Sequence, residues 1–254
     1  MSHHKLEVKN LSFTYPDGHK AIDGISFTVR HGESVGIVGE NGAGKSTLLL
    51  VLMGVLFPNQ GEVRVGDVRV TKKTLPLIRQ RLGMVFQNPD DQLFMTTVYD
   101  DVAFGPRNYK LDEKEVEDRV MKSLDMVGIS HLKDKAPYKL SGGEKRAAAI
   151  ATVLSMQPDI LVMDEPTSSL DPRSRRRVME LLKNFEHTKI ITSHDLDMVL
   201  EICERTIVLK QGKVAADGLT SEILADKELM NTCGLEVPLA LQGCPVCGEK
   251  KKYV

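Results

Sequence analysis

The sequence predicts an α/β fold: a mainly parallel sheet around a phosphate-binding loop, an N-terminal antiparallel β subdomain and an inserted helical subdomain. Three observations carry this. The glycine-rich stretch Gly39 to Thr47 (GENGAGKST) lies between a short buried-strand pattern, Ser34 to Val38, and an apolar helical pattern, Ser46 to Val55. Further along, short apolar strand patterns alternate with helical ones, as parallel pairing requires. Before and just after the loop, by contrast, the strand patterns are joined by turn residues in the manner of hairpins.

Leu6 to Phe13 alternates as a strand, Tyr15-Pro16-Asp17-Gly18 is a turn, and Ala21 to Val29 reads as the partner strand. Beyond the loop helix, Glu62 to Val70 forms a small hairpin around Gly66-Asp67, and Leu82 to Phe86 is an apolar run ending at Gln87. From Asn88 the texture changes to turn residues, acids and aromatics. Asp112 then opens a helix with Val116, Val120, Leu124 and Val127 on one face. A last helix of this insert starts at Leu140-Ser141-Gly142-Gly143-Glu144 and runs to Leu154. Ile160 to Met163 is a buried strand ending in Asp164-Glu165, at the strand end where open α/β sheets hold ligands. Arg173 to Phe185 is amphipathic, Lys189 to Thr192 is a strand ending in Ser193-His194, and Arg205 to Ala216 is a closing hairpin around Gln211-Gly212.

Composition narrows the classes. The 254 residues carry 34 Lys and Arg against 35 Asp and Glu, which lacks the basic excess of a non-specific nucleic-acid binder. The longest apolar run, Leu48 to Phe57, is interrupted by Gly54 and is too short to span a bilayer. With no apolar signal core ahead of the first strand, the expected location is the cytoplasm.

Gly39, Gly44, Lys45 and Ser46 fit the spacing G-x-x-x-x-G-K-[ST], in which backbone N–H groups wrap phosphates, the lysine reaches the outer pair and the hydroxyl ligates Mg²⁺. Side chains at Gly39, Gly42 and Gly44 would obstruct close approach of an anion. Gly39, Asn41, Gly42, Ala43, Gly44, Lys45, Ser46 and Thr47 are therefore the candidate nucleotide cradle. A dinucleotide fingerprint fails, because Thr47 stands where its third glycine belongs. On their residue types alone, Tyr15 is either a base-stacking aromatic or a half-buried strand-end tyrosine, His194 either a phosphate sensor or ordinary structure, and Ser141 to Gly143 an anion-ready helix start or a plain cap.

The order Gly39 to Ser46, Gln87, Leu140-Ser141-Gly142-Gly143, Ile160 to Glu165, Ser169-Leu170-Asp171 and His194 resembles the ATP-binding cassette family over residues 5 to 225. The resemblance implies a P-loop NTPase core of RecA-like type over 1–87 and 157–225, a helical signature subdomain over 88–156, and a separate tail, 226–254. It implies Mg²⁺-dependent ATP hydrolysis, with ATP and Mg²⁺ bound. Lys45 would neutralise phosphate charge, and Ser46, Asp164 and Gln87 would hold the metal. Glu165 would deprotonate the attacking water, His194 would sense the γ-phosphate, and Gln87 would couple the site to the helical subdomain. Tyr15 matches the aromatic that stacks on adenine. Ser141, Gly142 and Gly143 would complete the nucleotide site of a second ATPase subunit, either a copy or a closely related chain. One departure is visible: Glu144 replaces the usual glutamine.

The short interval from Gln87 to Leu140 leaves no room for the long coiled-coil arms of chromosome-maintenance relatives, and a single cassette differs from the tandem translation-factor relatives. The best fit is the ATPase of a membrane importer with separate transmembrane permease subunits, peripheral on the cytoplasmic face of a prokaryotic membrane and binding no nucleic acid. Val85 to Phe94 (VFQNPDDQLF) is similar to the glutamine loop of energy-coupling-factor importers, with a lean toward cobalt or nickel uptake; vitamin and other importers share this ATPase type. Asp90 and Asp91 suggest an acidic groove for permease arginines. The alternatives are a soluble, nucleic-acid-linked cassette and a non-hydrolysing module. Cys233 and the C-x-x-C at Cys244 and Cys247 admit three readings: half of a zinc knuckle completed across a dimer axis, a redox pair, or a reduced tail.

Overall fold

The computed structural model describes residues 5–242. β1 (Leu6–Thr14) and β2 (Lys20–Val29) pair antiparallel, Leu6 opposite Val29 and Thr14 opposite Lys20. β3 (Ser34–Val38) is buried at every position, which is why its sequence is continuously apolar instead of alternating. α1 (Lys45–Leu52) stops three residues short of the expected Val55, because Gly54 takes φ +66° just beyond the Met53 cap. β4 (Gln60–Val65) pairs antiparallel with β1 and, through the Gly66-Asp67 turn, with β5 (Val68–Arg69). The hairpin is there, and it also adds to the first sheet, giving the order β2-β1-β4-β5.

α2 (Leu75–Arg81), which the sequence pattern did not mark, leads straight into β6 (Leu82–Val85). α3 (Val98–Asn108) occupies part of the stretch of turn residues, acids and aromatics that opens the helical insert. Thr97 caps it by accepting from the Asp100 N–H, and Asp100 and Asp101 are the first-turn acids that suit a helix N-terminus. α4 (Glu113–Met126) is capped by Asp112 and buries Val116, Val120 and Leu124, matching the periodicity. α5 (Gly142–Leu154), β7 (Ile160–Asp164), α6 (Pro172–Asn184) and β8 (Thr188–Thr192) follow as expected. α7 (Leu196–Ile202), β9 (Arg205–Lys210), β10 (Lys213–Leu219), α8 (Thr220–Ile223) and α9 (Lys227–Thr232) complete the described chain.

These elements form two compact units, one from the residues up to Val70 and from Ile190 onward, the other Thr71–Lys189. In the first unit the antiparallel subdomain accompanies β3, which runs parallel to β9 (Val35 opposite Arg205, Val38 opposite Val208), while β10 adds antiparallel to β9. Arg205 fastens this unit: its Nε and Nη2 donate to the two oxygens of Asp217 at 2.6 and 2.7 Å, and its Nη1 donates to the Thr28 carbonyl and to Glu33. The bidentate Asp217 pairing raises the guanidinium pKa above its already high ordinary value. The segment after α9 is held on the same unit, where the Asp197 carboxylate accepts from the N–H groups of Leu239 and Ala240.

In the second unit β6 runs parallel to β7, Leu82 opposite Ile160 and Val85 opposite Met163. Helices α3, α4 and α5 pack on one another, and α5 packs on β6. The packing is close at Gly83, where a Cβ would stand 2.3 Å from Val153 Cγ1. The α/β class, with an antiparallel β subdomain and a mixed sheet with helices, therefore agrees with the sequence reading. Among the described residues no helix is long and apolar enough to cross a membrane.

Asp101 on α3 is 3% exposed; one carboxylate oxygen accepts from the N–H groups of Phe94 and Met95 at 2.9 and 3.0 Å, and the other has no partner. Burial raises its pKa against the pull of those two N–H groups. A carboxyl raised on folding contributes stability that is fully present below the unfolded value and is lost as pH rises through the folded value. Asp101→Asn keeps an acceptor for the two N–H groups and abolishes the titration. Its stability relative to the unmodified chain is expected to be greater at pH 7 than at pH 4.5, measured by urea denaturation at both; an unchanged difference would overturn the assignment.

Candidate functional site

The first unit carries the phosphate loop. It leaves β3 at Val38, passes through Gly39 (φ +157°), Gly42 (φ +80°) and Gly44 (φ +100°), and enters α1 at Lys45. The three glycines serve different ends. A Cβ on Gly39 would lie 2.3 Å from the Leu209 carbonyl oxygen, and one on Gly44 would lie 2.4 Å from that of Ala21, so both are required by the protein's own backbone behind the loop. Only Gly42 opens onto empty space, with nothing within 4 Å of its Cβ position. Gly39 and Gly44 are thus held to glycine by the chain's own backbone, in addition to the room the loop is expected to leave for an anion. The opening amides of α1 have no acceptor within the helix and give the loop a positive end.

Lys45 is 7% exposed, and its Nζ donates to the carbonyls of Gly39 at 2.7 Å and Glu40 at 3.1 Å. His194 Nε2 lies 3.2 Å from the same Nζ, so the structure brings together two candidates 149 residues apart. Ser46 is exposed on the first turn of α1, as are Asn41 and Gly42 in the loop, whereas Ala43 is buried. Thr47 Oγ1 lies 3.0 Å from Tyr15 Oη, joining the candidate base platform to the loop helix. Phe13 supports Tyr15 edge-on, with ring centroids 4.9 Å apart.

The second unit carries the carboxylates. Asp164 ends β7 and Glu165 follows, each 7% exposed, and Glu165 has φ +48°. A side chain in this left-handed region is strained by about 1–3 kcal/mol, as residues at working sites often are. Because Val85 pairs with Met163, the chain leaving β6 at Phe86-Gln87 emerges beside the chain leaving β7 at Asp164-Glu165.

Two residues that the sequence reading missed hold this region. Arg146 on α5 is 2% exposed, and its Nη1 and Nη2 donate to the Phe86 and Gln87 carbonyls at 2.7 and 2.5 Å. Burial lowers the guanidinium pKa, and the negative charge of Asp164 opposes that shift. Gln92 accepts from the Phe86 N–H and donates to the Ala149 carbonyl and Thr152 Oγ1. The glutamine loop is therefore riveted to the helix that begins at the signature. For Arg146 the one available signal was a charge directly ahead of the buried run Ala147 to Ala149.

Ser141 caps α5 in a capping box, its Oγ accepting from the Glu144 N–H while the Glu144 carboxylate accepts from the Ser141 N–H at 2.7 Å. That backbone bond lowers the Glu144 pKa, and the capping box takes a glutamate as readily as a glutamine. Gly142 faces open space, whereas a Cβ on Gly143 would lie 2.2 Å from Ser174 Oγ. Asp171 caps α6 with bonds from the N–H groups of Arg173 and Ser174. The signature turn and the Asp171 loop are thus in contact within one chain. Cys233 is a buried thiol whose pKa is pushed up by burial; Cys244 and Cys247 lie outside the described residues.

A phosphate loop with a buried lysine on one unit, and a carboxylate-tipped strand with a capped signature helix on the other, define the class of nucleotide-hydrolysing P-loop proteins. A family model described as "ABC transporter" matches residues 22–168, and the chain belongs to that family. A protein of Geobacter sulfurreducens provisionally named as an ABC transporter ATP-binding protein is 64% identical over 98% of this chain and all of its own length. The energy-coupling factor transporter ATP-binding protein EcfA of Methanothermobacter thermautotrophicus is 48% identical over 92% of this chain and 76% of its own. Among solved structures, CbiO1 of Clostridium perfringens, part of the ABC transporter complex CbiONQ, superposes with a TM-score of 0.80 at 41% identity, covering 90% of this chain and 94% of that one. A dimeric ATP-binding cassette holding ADP and Pi after hydrolysis gives 0.77 at 28% identity, over 85% and 98%. The protein is an ATP-binding, ATP-hydrolysing ABC subunit resembling the energy-coupling-factor ATPases.

Arg146→Met removes the donor of two carbonyls and is expected to destabilise the protein by about 1–3 kcal/mol in urea denaturation, with Arg146→Lys recovering only part. Wild-type stability in the methionine variant would show that the rivet carries no weight.

Proposed function

We propose that this subunit powers a membrane importer of the energy-coupling-factor type by ATP-driven closure of a cassette dimer. The observation that carries the reading is the Lys45 cradle with His194 Nε2 at 3.2 Å from its Nζ, two groups 149 residues apart brought together at the phosphate loop. Lys45 has three rotatable donors and exchanges loop carbonyls for the outer phosphates of ATP. Tyr15 stacks on the adenine, and the backbone of Gly39 to Thr47 wraps the phosphates. Ser46, Asp164 and Gln87 would hold Mg²⁺; their hard oxygen donors fit that ion, which draws charge from the phosphates during transfer. Glu165 takes a proton from the attacking water, and its strained backbone supports that assignment. His194 reports loss of the γ-phosphate.

Ser141, Gly142 and Gly143 of each subunit complete the site of the other in a head-to-tail pair, formed with a copy or a closely related chain. The dimeric assembly of the similar cassette structure supports this. The permease surface is read at Phe94 and Phe104, both exposed and packed edge to face with centroids 5.0 Å apart. Asp90 is engaged by Lys145 at 2.6 Å, which leaves the exposed Asp91 as the acid for a permease arginine. In this reading the subunit lies on the cytoplasmic face of a prokaryotic membrane and serves cobalt or nickel uptake, and the likeness to CbiO1 of the ABC transporter complex CbiONQ supports a place in a multi-subunit transporter. The segment 1–225 acts as the cassette, with 226–254 appended.

Glu165→Gln is expected to bind ATP normally, lower phosphate release by about 10²–10⁴-fold, and accumulate as a dimer by size-exclusion chromatography in ATP. Full turnover in that variant would remove the base assignment. Isolation of the native membrane complex is expected to recover permease chains with the ATPase; recovery with nucleic acid instead would favour the soluble reading.

A further inference from the structure

The turn between β1 and β2 is more than a connection. Tyr15 N–H donates to the His19 carbonyl at 2.8 Å, Gly18 N–H donates to the Tyr15 carbonyl at 2.9 Å, and His19 N–H donates to Asp17 Oδ1 at 2.9 Å. Pro16 restricts one turn dihedral, and Gly18 supplies the left-handed residue at φ +89°. Five residues closed by three hydrogen bonds hold their end residues in a set relation.

That relation puts the His19 imidazole almost parallel to the Tyr15 ring, 18° between planes with centroids 6.3 Å apart. The pair is not a core contact, because His19 is exposed and Tyr15 only half-buried. Nor is the spacing that of a tight face-to-face stack, which brings ring faces into van der Waals contact. The two rings share nearly one orientation, and one of them is tied to the phosphate-loop helix through Thr47, so a flat ligand lying on the face of Tyr15 runs parallel to the His19 ring as well. The phosphates belong at Lys45, so the flat ligand at this end is the base of the nucleotide.

We propose that His19 is a second base-recognition residue, lying alongside Tyr15 on the purine of ATP. This rests on the reading of Tyr15 as the adenine platform. His19 contributes through its ring face, so an aromatic replacement retains the effect and alanine abolishes it. Its hydrogen bonds in the turn are made by its backbone, which alanine preserves.

The experiment measures binding to the full chain by calorimetry with divalent ions chelated, using ATP and inorganic tripolyphosphate as paired probes, for His19→Ala, His19→Phe and Tyr15→Ala. His19→Ala is expected to weaken ATP about five-fold or more and to leave tripolyphosphate unchanged, with His19→Phe close to the unmodified chain. Equal weakening of both probes would mean a distorted loop and would overturn the proposal. Loss of ATP selectivity in Tyr15→Ala alone would overturn the role of His19 and keep the platform. If neither variant separates the probes, the base lies elsewhere and both readings fall.

Discussion

A charge taken out of water must find acceptors, and each unit of this protein carries a buried cation at the candidate site whose acceptors are backbone carbonyls. In the first it is Lys45, with the carbonyls of Gly39 and Glu40 turned onto its ammonium group. In the second it is Arg146, whose planar fork takes the carbonyls of Phe86 and Gln87. The two differ in how readily they release what they hold. An ammonium group on a flexible stem can change partners, as a phosphate ligand requires. A guanidinium bound to two successive carbonyls fixes the direction of the chain between them. One cation therefore suits a site that must respond, and the other a joint that must not slip.

Much of this was legible in the sequence, and the reasons are local. The strand before the phosphate loop, the turn at Pro16-Asp17-Gly18 and the helix from Asp112 all show periodicity or turn chemistry that no distant residue has to supply. α3 falls in the insert read as helical, but the sequence marked no helix there, because its start rests on the Thr97 cap and the first-turn acids Asp100 and Asp101. Arg146 and Gln92 act on backbone atoms some 60 residues away, a relation that leaves no pattern in composition. The glycines show a subtler limit. Their positions pointed to a tight loop, whereas a second constraint on Gly39 and Gly44 lies in the carbonyls of Leu209 and Ala21, which arrive from other strands.

Glu144 illustrates how a departure from a family pattern is absorbed. The usual glutamine would reach the Ser141 N–H as a neutral acceptor. The carboxylate here is a charge-assisted one at a helix N-terminus, where the aligned peptide dipoles favour negative charge. The change strengthens the start of α5 and leaves Gly142 facing open space.

The contact of Gly143 with Ser174 bears on how movement is conveyed. With no room for even one added carbon between them, the turn that starts α5 and the turn that starts α6 meet in direct contact. A linkage with clearance absorbs the first part of any displacement; one without it passes on small displacements in full. A displacement at Gly143 therefore bears directly on Ser174, whose N–H the Asp171 cap holds, and so on the start of α6.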